Sequence, residues 1–370
     1  MSKRIVVSVI SDLTSDQRVH KVCTFLHQKG FHVILIGRKT KNSLPLQKRD
    51  YTTERIFCSF NNGVLLYAEF MVKLFFRLFK KTDLFLSNDL DTLLPNFLHA
   101  KIRSKKLIYD SHEYFTGVPE LSDTPYKKKT WQLLEAFLLP KTDAAYTVNK
   151  SIAELFKHQY NVHMKVVRNL PYLSNKSSVI PNIQFPGDKF IILLQGAGIN
   201  TGRGGEELVQ SMALLPPDFI LYLIGSGTSW ISLKKMVADL NLTNKVCFIE
   251  KVPFEQLSYY TRQASLGVSL DKPSSVNYEL SLPNKIFDYI HAGIPVLASS
   301  IKEVRYVIEH YQVGIIVDEV TPQAIAKCIL YIYQNKSLYD SWKANTAKAA
   351  SELCWEHEER ILQSIFSQYH

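Results

Sequence analysis

Twice along this chain, short apolar runs alternate with longer stretches of helical periodicity, and that alternation limits the fold more than any other feature. The first series of strand-like runs is Ile5–Ile10, Val33–Gly37, Leu84–Ser87, Lys106–Tyr109 and Ala144–Thr147. The second is Ile191–Gln195, Ile220–Ile224, Val246–Ile249, Leu266–Leu270, Pro295–Ala298 and Gly314–Val317. Runs this uniformly apolar are buried on both faces, which predicts parallel sheets with helices on either side. Between the two series, residues 171–188 are rich in Pro, Ser and Asn and read as a linker. The predicted fold class is α/β: two Rossmann-like, doubly wound domains, residues 1–170 and 189–337, facing each other across a cleft at the carboxyl ends of their strands.

A chain of 370 residues is long enough for two separate cores, and 46% hydrophobic residues is enough to fill them. The five cysteines form no Cys-x-x-Cys pair, so neither a disulfide framework nor a structural zinc site is expected, and a reducing cytosol fits best. No signal peptide is expected before the run at Ile5. Charge divides unevenly. Residues 1–170 hold 27 Lys and Arg against 15 Asp and Glu, and the remaining 200 hold 17 against 19, so all of the net +10 lies in the first half. No helix-turn-helix, zinc-finger or RNA-recognition pattern accompanies that charge, so nucleic acid is not expected as a partner, and an anionic membrane surface is.

The stretch Tyr278–Ser299 reads as a loop, a short helix and a buried strand. Asn284 and Lys285 lie where the helix opens, Asp288 lies in its first turns, and Glu279 precedes it. Free N–H groups at a helix start favour anions, and flanking acids favour hydroxyls, a pairing that points to a sugar nucleotide. Upstream, the glycine-rich loop Gly196–Glu207, including Gly198 and Gly202, lets backbone approach a ligand, with Arg203 placed for a diphosphate.

In the first half, the loop Ser11–Arg18 carries Asp12, Asp16 and Arg18 at a strand end. These residues serve either an acceptor or the capping of the next helix. Asn88–Asp91 and Asp110–Glu113 gather His112 and four carboxylates at the same edge, without the spacing of a metal site. The apolar stretch Val64–Leu86 carries Lys73, Arg77, Lys80 and Lys81, too many charges to span a bilayer but suited to an interfacial helix. Tyr126–Trp131 is a second basic, aromatic segment.

The runs Gln195–Glu206 and Leu282–Val296, with Ser11–Arg18, Asp110–Tyr114 and the terminal Trp355-Glu-His-Glu, resemble the family 4 glycosyltransferases of the GT-B fold over essentially the whole chain. The resemblance implies retaining transfer of a sugar from a nucleotide diphosphate (UDP or GDP), with no metal or other cofactor. It implies a saccharide or lipid-linked saccharide acceptor, in bacterial surface polysaccharide or lipopolysaccharide synthesis at the cytoplasmic face of the membrane. The family's phosphate-binding Lys falls on Arg203, its upstream Arg on Gly198, and Lys285 is placed to replace that lost cation. The second acid of the family's Glu-x7-Glu motif falls on Asp288, which would bind the ribose. Glu279, one residue out of register, stands for the first. The loop at Val252 would cradle the base through its backbone. His112, with Glu113 beside it, would orient the reacting sugar, and a final helix, within residues 338–370, would return to the first domain. A non-catalytic scaffold or nucleotide sensor, and a sugar-nucleotide epimerase, are the alternative readings.

Overall fold

The computed structural model describes residues 2–41, 43–118, 124–173 and 183–369. The chain forms two units, residues 2–169 with 358–369, and residues 170–357. Residues 174–182 of the expected linker lie outside the described residues.

The first unit runs β1 (Arg4–Asp12), α1 (Gln17–Gln28), β2 (His32–Lys39), β3 (Thr52–Phe57), α2 (Gly63–Arg77), β4 (Leu84–Asn88), α3 (Leu90–Ile102), β5 (Lys106–Ser111), α4 (Pro125–Leu138), β6 (Ala144–Thr147), α5 (Lys150–Tyr160) and β7 (Lys165–Val166). Its seven strands are all parallel, in the order β3-β2-β1-β4-β5-β6-β7. The five expected strands are present. β3 and β7 carry no apolar run, because an edge strand buries only part of its surface, and so periodicity does not reveal them.

The second unit runs β8 (Phe190–Gly196), α6 (Gly205–Ser211), β9 (Phe219–Gly225), α7 (Trp230–Asp239), β10 (Val246–Glu250), α8 (Phe254–Gln263), β11 (Leu266–Ser269), α9 (Val276–Glu279), α10 (Lys285–Ala292), β12 (Val296–Ser299), α11 (Lys302–Tyr311), β13 (Gly314–Val317), α12 (Pro322–Gln334) and α13 (Lys336–Glu352). Its sheet is parallel, in the order β10-β9-β8-β11-β12-β13. One apolar layer joins the sheet to α6, α7 and α12 through Leu208, Leu233 and Ile325. The opposite layer joins it to α8, α10 and α11 through Tyr260, Ile286 and Val304. Each fully buried Leu or Ile in such a layer stabilises the fold by about 1.5–3 kcal/mol.

The expected long terminal helix is two helices. α13 packs on α10 within the second unit, and α14 (Trp355–Phe366) carries the chain back into the first. There the fully buried Glu358 accepts from the Arg168 backbone N–H at 2.8 Å and pairs with its guanidinium, also at 2.8 Å. Phe366 meets Phe31 edge-on with centroids 6.3 Å apart.

In both sheets the strand order reverses once, beside β1 and β4 in one and beside β8 and β11 in the other. Such reversals open a crevice at the carboxyl ends of the strands, where doubly wound sheets take ligands. In the second unit α10 is seated there by Tyr289, whose hydroxyl lies 3.2 Å from the carbonyls of both Leu193 and Val268. Gly267 makes room for that ring, since a Cβ there would fall 2.2 Å from it.

Candidate active site

At the crevice of the second unit, the loop after β8 turns over the end of β11. Gly204 adopts φ +73°, and a Cβ there would lie 2.4 Å from that of Leu270. The Lys272 N–H donates to the Gly202 carbonyl at 2.8 Å, and the Lys272 ammonium pairs with Glu207. The loop therefore carries Arg203 inward, over the ring of Tyr278 at 4.4 Å. Lys285, the first residue of α10, arrives from the other side. Both cations reach one carboxylate, Asp271, at 2.9 Å from Arg203 and 3.6 Å from Lys285.

Burial alone would raise the Asp271 pKa, yet the two cations outweigh it and hold the carboxylate below its usual range. Burial pulls the Lys285 ammonium down, against the pull of Asp271. Sequence reasoning did not single out Asp271. Its one signal is position, an acid just past the apolar run of a central strand.

Asp288 lies one helical turn beyond Lys285 and accepts from the Gln195 amide at 3.1 Å, while Thr261 donates to the other end of that amide at 2.7 Å. Gln195, Asp288, Leu257, Thr261, Arg262 and His291 are among the residues lining a cavity beside β8. Glu279 ends the one-turn helix α9 with its side chain exposed. Asn284 is exposed at the start of α10 and makes no side-chain cap. Val252 is half-buried in the loop after β10. A Cβ at Gly198 would meet only the Asn200 amide, at 3.5 Å, so a side chain fits there.

The crevice of the first unit is built around His112. Its Nδ1 lies 3.3 Å from Asp89 Oδ2, and its Nε2 lies 3.3 Å from Asp110 Oδ2 and 3.1 Å from Asn88 Oδ1. The Asn88 amide is fixed by donating to the Ser8 carbonyl at 3.0 Å, which turns its oxygen toward His112. Burial alone would lower the His112 pKa, but Asp89 and Asp110 outweigh it and hold it at about 9. The ring is an imidazolium at neutral pH and donates from both nitrogens. Asp89 sits at φ +59°, a conformation that costs a residue with a β-carbon about 1–3 kcal/mol. Its backbone N–H donates to the Asp110 carbonyl at 2.9 Å, and its carboxylate accepts from the His112 N–H at 2.8 Å.

Arg18 does not face outward as an acceptor residue would. It is buried, grips Asp110 through two hydrogen bonds of 3.1 and 2.6 Å, and donates to the Val167 carbonyl at 2.7 Å. Its action on any ligand passes through Asp110 and His112. Asp16 caps α1 by accepting from the Val19 N–H at 3.0 Å, and Asp12 accepts from Thr14 and Ser43 to brace its own loop. Glu113 is half-buried beside His112.

The four basic residues expected at a membrane are mostly engaged within the protein. Lys73 pairs with Glu69 at 2.7 Å, and Arg77 and Lys80 pair with Glu54, while Lys81 is exposed. Among the described residues no cluster of His, Cys, Asp and Glu fits a metal ion, and no helix is long and apolar enough to cross a membrane.

Residues 16–170 match the family model described as Glycosyltransferase Family 4, and residues 176–349 match that described as Glycosyl transferases group 1. A chitobiosyldiphosphodolichol beta-mannosyltransferase of Candida albicans is 25% identical over 153 residues, 40% of this chain and 33% of that enzyme. The aligned stretch thus spans a third of that relative's length. Among solved structures, sucrose-phosphate synthase from Thermosynechococcus elongatus aligns over 99% of this chain and 98% of its own, with 18% identity and a TM-score of 0.78. Anabaena HepE, solved in complex with UDP-glucose, aligns over 99% of both chains with 14% identity and a TM-score of 0.74. WaaG, a glycosyltransferase involved in lipopolysaccharide biosynthesis, aligns over 98% of this chain and 99% of its own, with 14% identity and a TM-score of 0.66. The chain belongs to the family 4 glycosyltransferases and has their GT-B fold.

Proposed function

We propose that this family 4 glycosyltransferase moves a sugar from a UDP- or GDP-linked donor to a saccharide or lipid-linked saccharide, with retention and without a metal. The observation that carries this reading is the convergence of Arg203 and Lys285 at the crevice of the second sheet, with Asp288 one turn along the same helix. Negative charge grows on the departing diphosphate as the sugar bond breaks, and fixed cations stabilise that charge most where they need not reorganise. Arg203 and Lys285 take this part, with the backbone of the Gly198–Gly202 loop beside them. Asp288 accepts from the ribose hydroxyls, Val252 meets the base through its backbone, Glu279 contacts the donor sugar, and Asn284 borders the phosphate.

His112, already protonated, cannot act as a base. With both N–H groups held by Asp89, Asp110 and Asn88, it presents a fixed positive charge that orients the sugar, and the leaving phosphate oxygen takes the acceptor proton. Asp12, Asp16 and Glu113 serve the acceptor side, and Arg18 acts from behind them through Asp110. The complex of HepE with UDP-glucose, a protein of the same fold, supports the choice of donor class.

Calorimetric titration with UDP and GDP, with and without magnesium, tests the donor site. One nucleotide is expected to bind equally in both conditions, and Arg203→Ala to weaken it about 100-fold, as loss of a charge-assisted contact does. Binding that needs magnesium, or that survives Arg203→Ala, would sink the reading. Asp288→Ala and His112→Ala then separate an enzyme from a scaffold: turnover falls by orders of magnitude in the first, while partner binding survives in the second. Detection of an epimerised nucleotide sugar with no acceptor present would favour the epimerase.

The acceptor, on this proposal, is met at an anionic bilayer, on the cytoplasmic face where surface polysaccharide or lipopolysaccharide is built. Helices α2, α3 and α4 support it. Their acids are Glu69, paired to Lys73, and Asp91 and Glu135, both buried. Phe76, Ile102 and Phe137 stand 67%, 74% and 60% exposed on the same three helices, with Lys101 and Lys129 exposed among them. Apolar side chains beside unopposed cations suit the headgroup region. Replacing Phe76, Ile102 and Phe137 together by Ser is expected to reduce binding to vesicles containing phosphatidylglycerol about tenfold or more. The set Lys73, Arg77, Lys80 and Lys81→Gln should reduce it less, because three of those cations are already paired. Equal vesicle binding by the wild type and both sets would remove the membrane from the proposal.

A further inference from the structure

Two cations that bind a diphosphate need no carboxylate between them, yet Arg203 and Lys285 share one. Asp271 follows β11 at the reversal of strand order, is 1% exposed, and is not replaceable by solvent. Arg203 donates to one carboxylate oxygen at 2.9 Å. The other lies 3.6 Å from the Lys285 ammonium and 3.3 Å from the Ser269 hydroxyl. The segment itself is held by other contacts, the Lys272 N–H on the Gly202 carbonyl and the Ser299 hydroxyl on the Asp271 carbonyl. The Asp271 side chain is therefore not needed to dock its own loop.

Two like charges brought to one point repel, and a buried carboxylate between them removes that cost while fixing both in direction. It also leaves the cluster a net charge of +1 where the cations alone would make +2. We propose that Asp271 is a positioning residue with a second consequence, moderation of diphosphate affinity so that the nucleotide product leaves. This rests on the reading that Arg203 and Lys285 bind the diphosphate. Removing the carboxylate charge then tightens diphosphate binding, where removing a merely structural residue would weaken it.

Inorganic pyrophosphate is the probe, titrated calorimetrically into the full-length protein. Wild type is expected to bind it, Arg203→Ala to lose it, and Asp271→Asn to bind it about tenfold tighter. Lys285→Met leaves Arg203 and Asp271 as a neutral pair and should lose binding, whereas Lys285→Met with Asp271→Asn restores the net +1 and should recover it. That double variant keeps the test open if Asp271→Asn alone folds poorly, because no charge is then buried unpaired. Unchanged or weaker binding in a folded Asp271→Asn protein, or no recovery in the double variant, overturns the role of Asp271 and leaves the donor site standing. If wild type fails to bind pyrophosphate at all, both readings fall together.

Discussion

The two crevices sit at the same point of the same kind of sheet, and their charge is arranged in opposite ways. In the first unit His112 and Arg18 are enclosed by Asp89 and Asp110, with Arg18 and Asp110 both buried. In the second, Arg203 and Lys285 outnumber the single carboxylate Asp271. The first cluster is balanced and uses its charge to hold an imidazolium in place. The second keeps an excess of positive charge. Strand order sets where a site can form, and the local ratio of cations to carboxylates sets what it can hold.

The largest effect should come from breaking the balanced cluster. Asp110→Asn leaves the Arg18 guanidinium buried with no counter-charge, a change that costs about 3–5 kcal/mol. Urea denaturation of the variant measures this loss, and a cost under 1 kcal/mol would mean that the pair is not closed to water. Asp271→Asn should cost less, because Arg203 remains partly exposed and only Lys285, 3.6 Å from the carboxylate, is left buried without its counter-charge.

The next test uses the proton on His112. Its folded pKa of about 9 lies above the 6.5 of an unperturbed histidine, so the folded state holds this proton more tightly than the unfolded chain does. Its contribution to stability is fully present below 6.5 and is lost as pH rises through about 9. Stability of the wild type should fall over that interval, and the His112→Gln variant should show a flatter profile there. Identical profiles would break the contrast between the clusters, since His112 would then be no more charged than a surface histidine.

The smallest effect sharpens the other side. Gly198 has room for a side chain, and Gly198→Arg adds a third cation beside Arg203. Its expected result is a gain in nucleotide diphosphate affinity of about tenfold, read by calorimetry. No gain would mean that the loop does not direct position 198 at the phosphates.

Much of this was legible in the residues. All eleven expected strands are present: nine are central and must be apolar on both faces, and the edge strands β10 and β13 carry apolar runs of their own. The helix at Lys285 was legible from Gly293, which ends it at φ +79°. β3 and β7 were not, being edge strands without an apolar run, and neither was the break between α13 and α14. The site was half legible. Arg203, Lys285, Asp288 and His112 could be picked from motif position, whereas their partners could not. Arg18 looked like an exposed loop cation and is buried, and Lys73, Arg77 and Lys80 looked unopposed and are paired with Glu69 and Glu54.

The sequence by itself determined the alternation of strands and helices, the two doubly wound sheets, and the placing of charged residues at strand ends. These are local consequences of periodicity, capping and turn chemistry, each written within a few residues. Only the tertiary structure decided which charges meet. Arg203 finds Asp271 across 68 residues and Arg18 finds Asp110 across 92, because strand order brings the end of β8 beside β11 and sets β4 between β1 and the β5 strand that carries Asp110. An ion pair depends on distance in space and on burial, and neither is encoded by spacing along the chain.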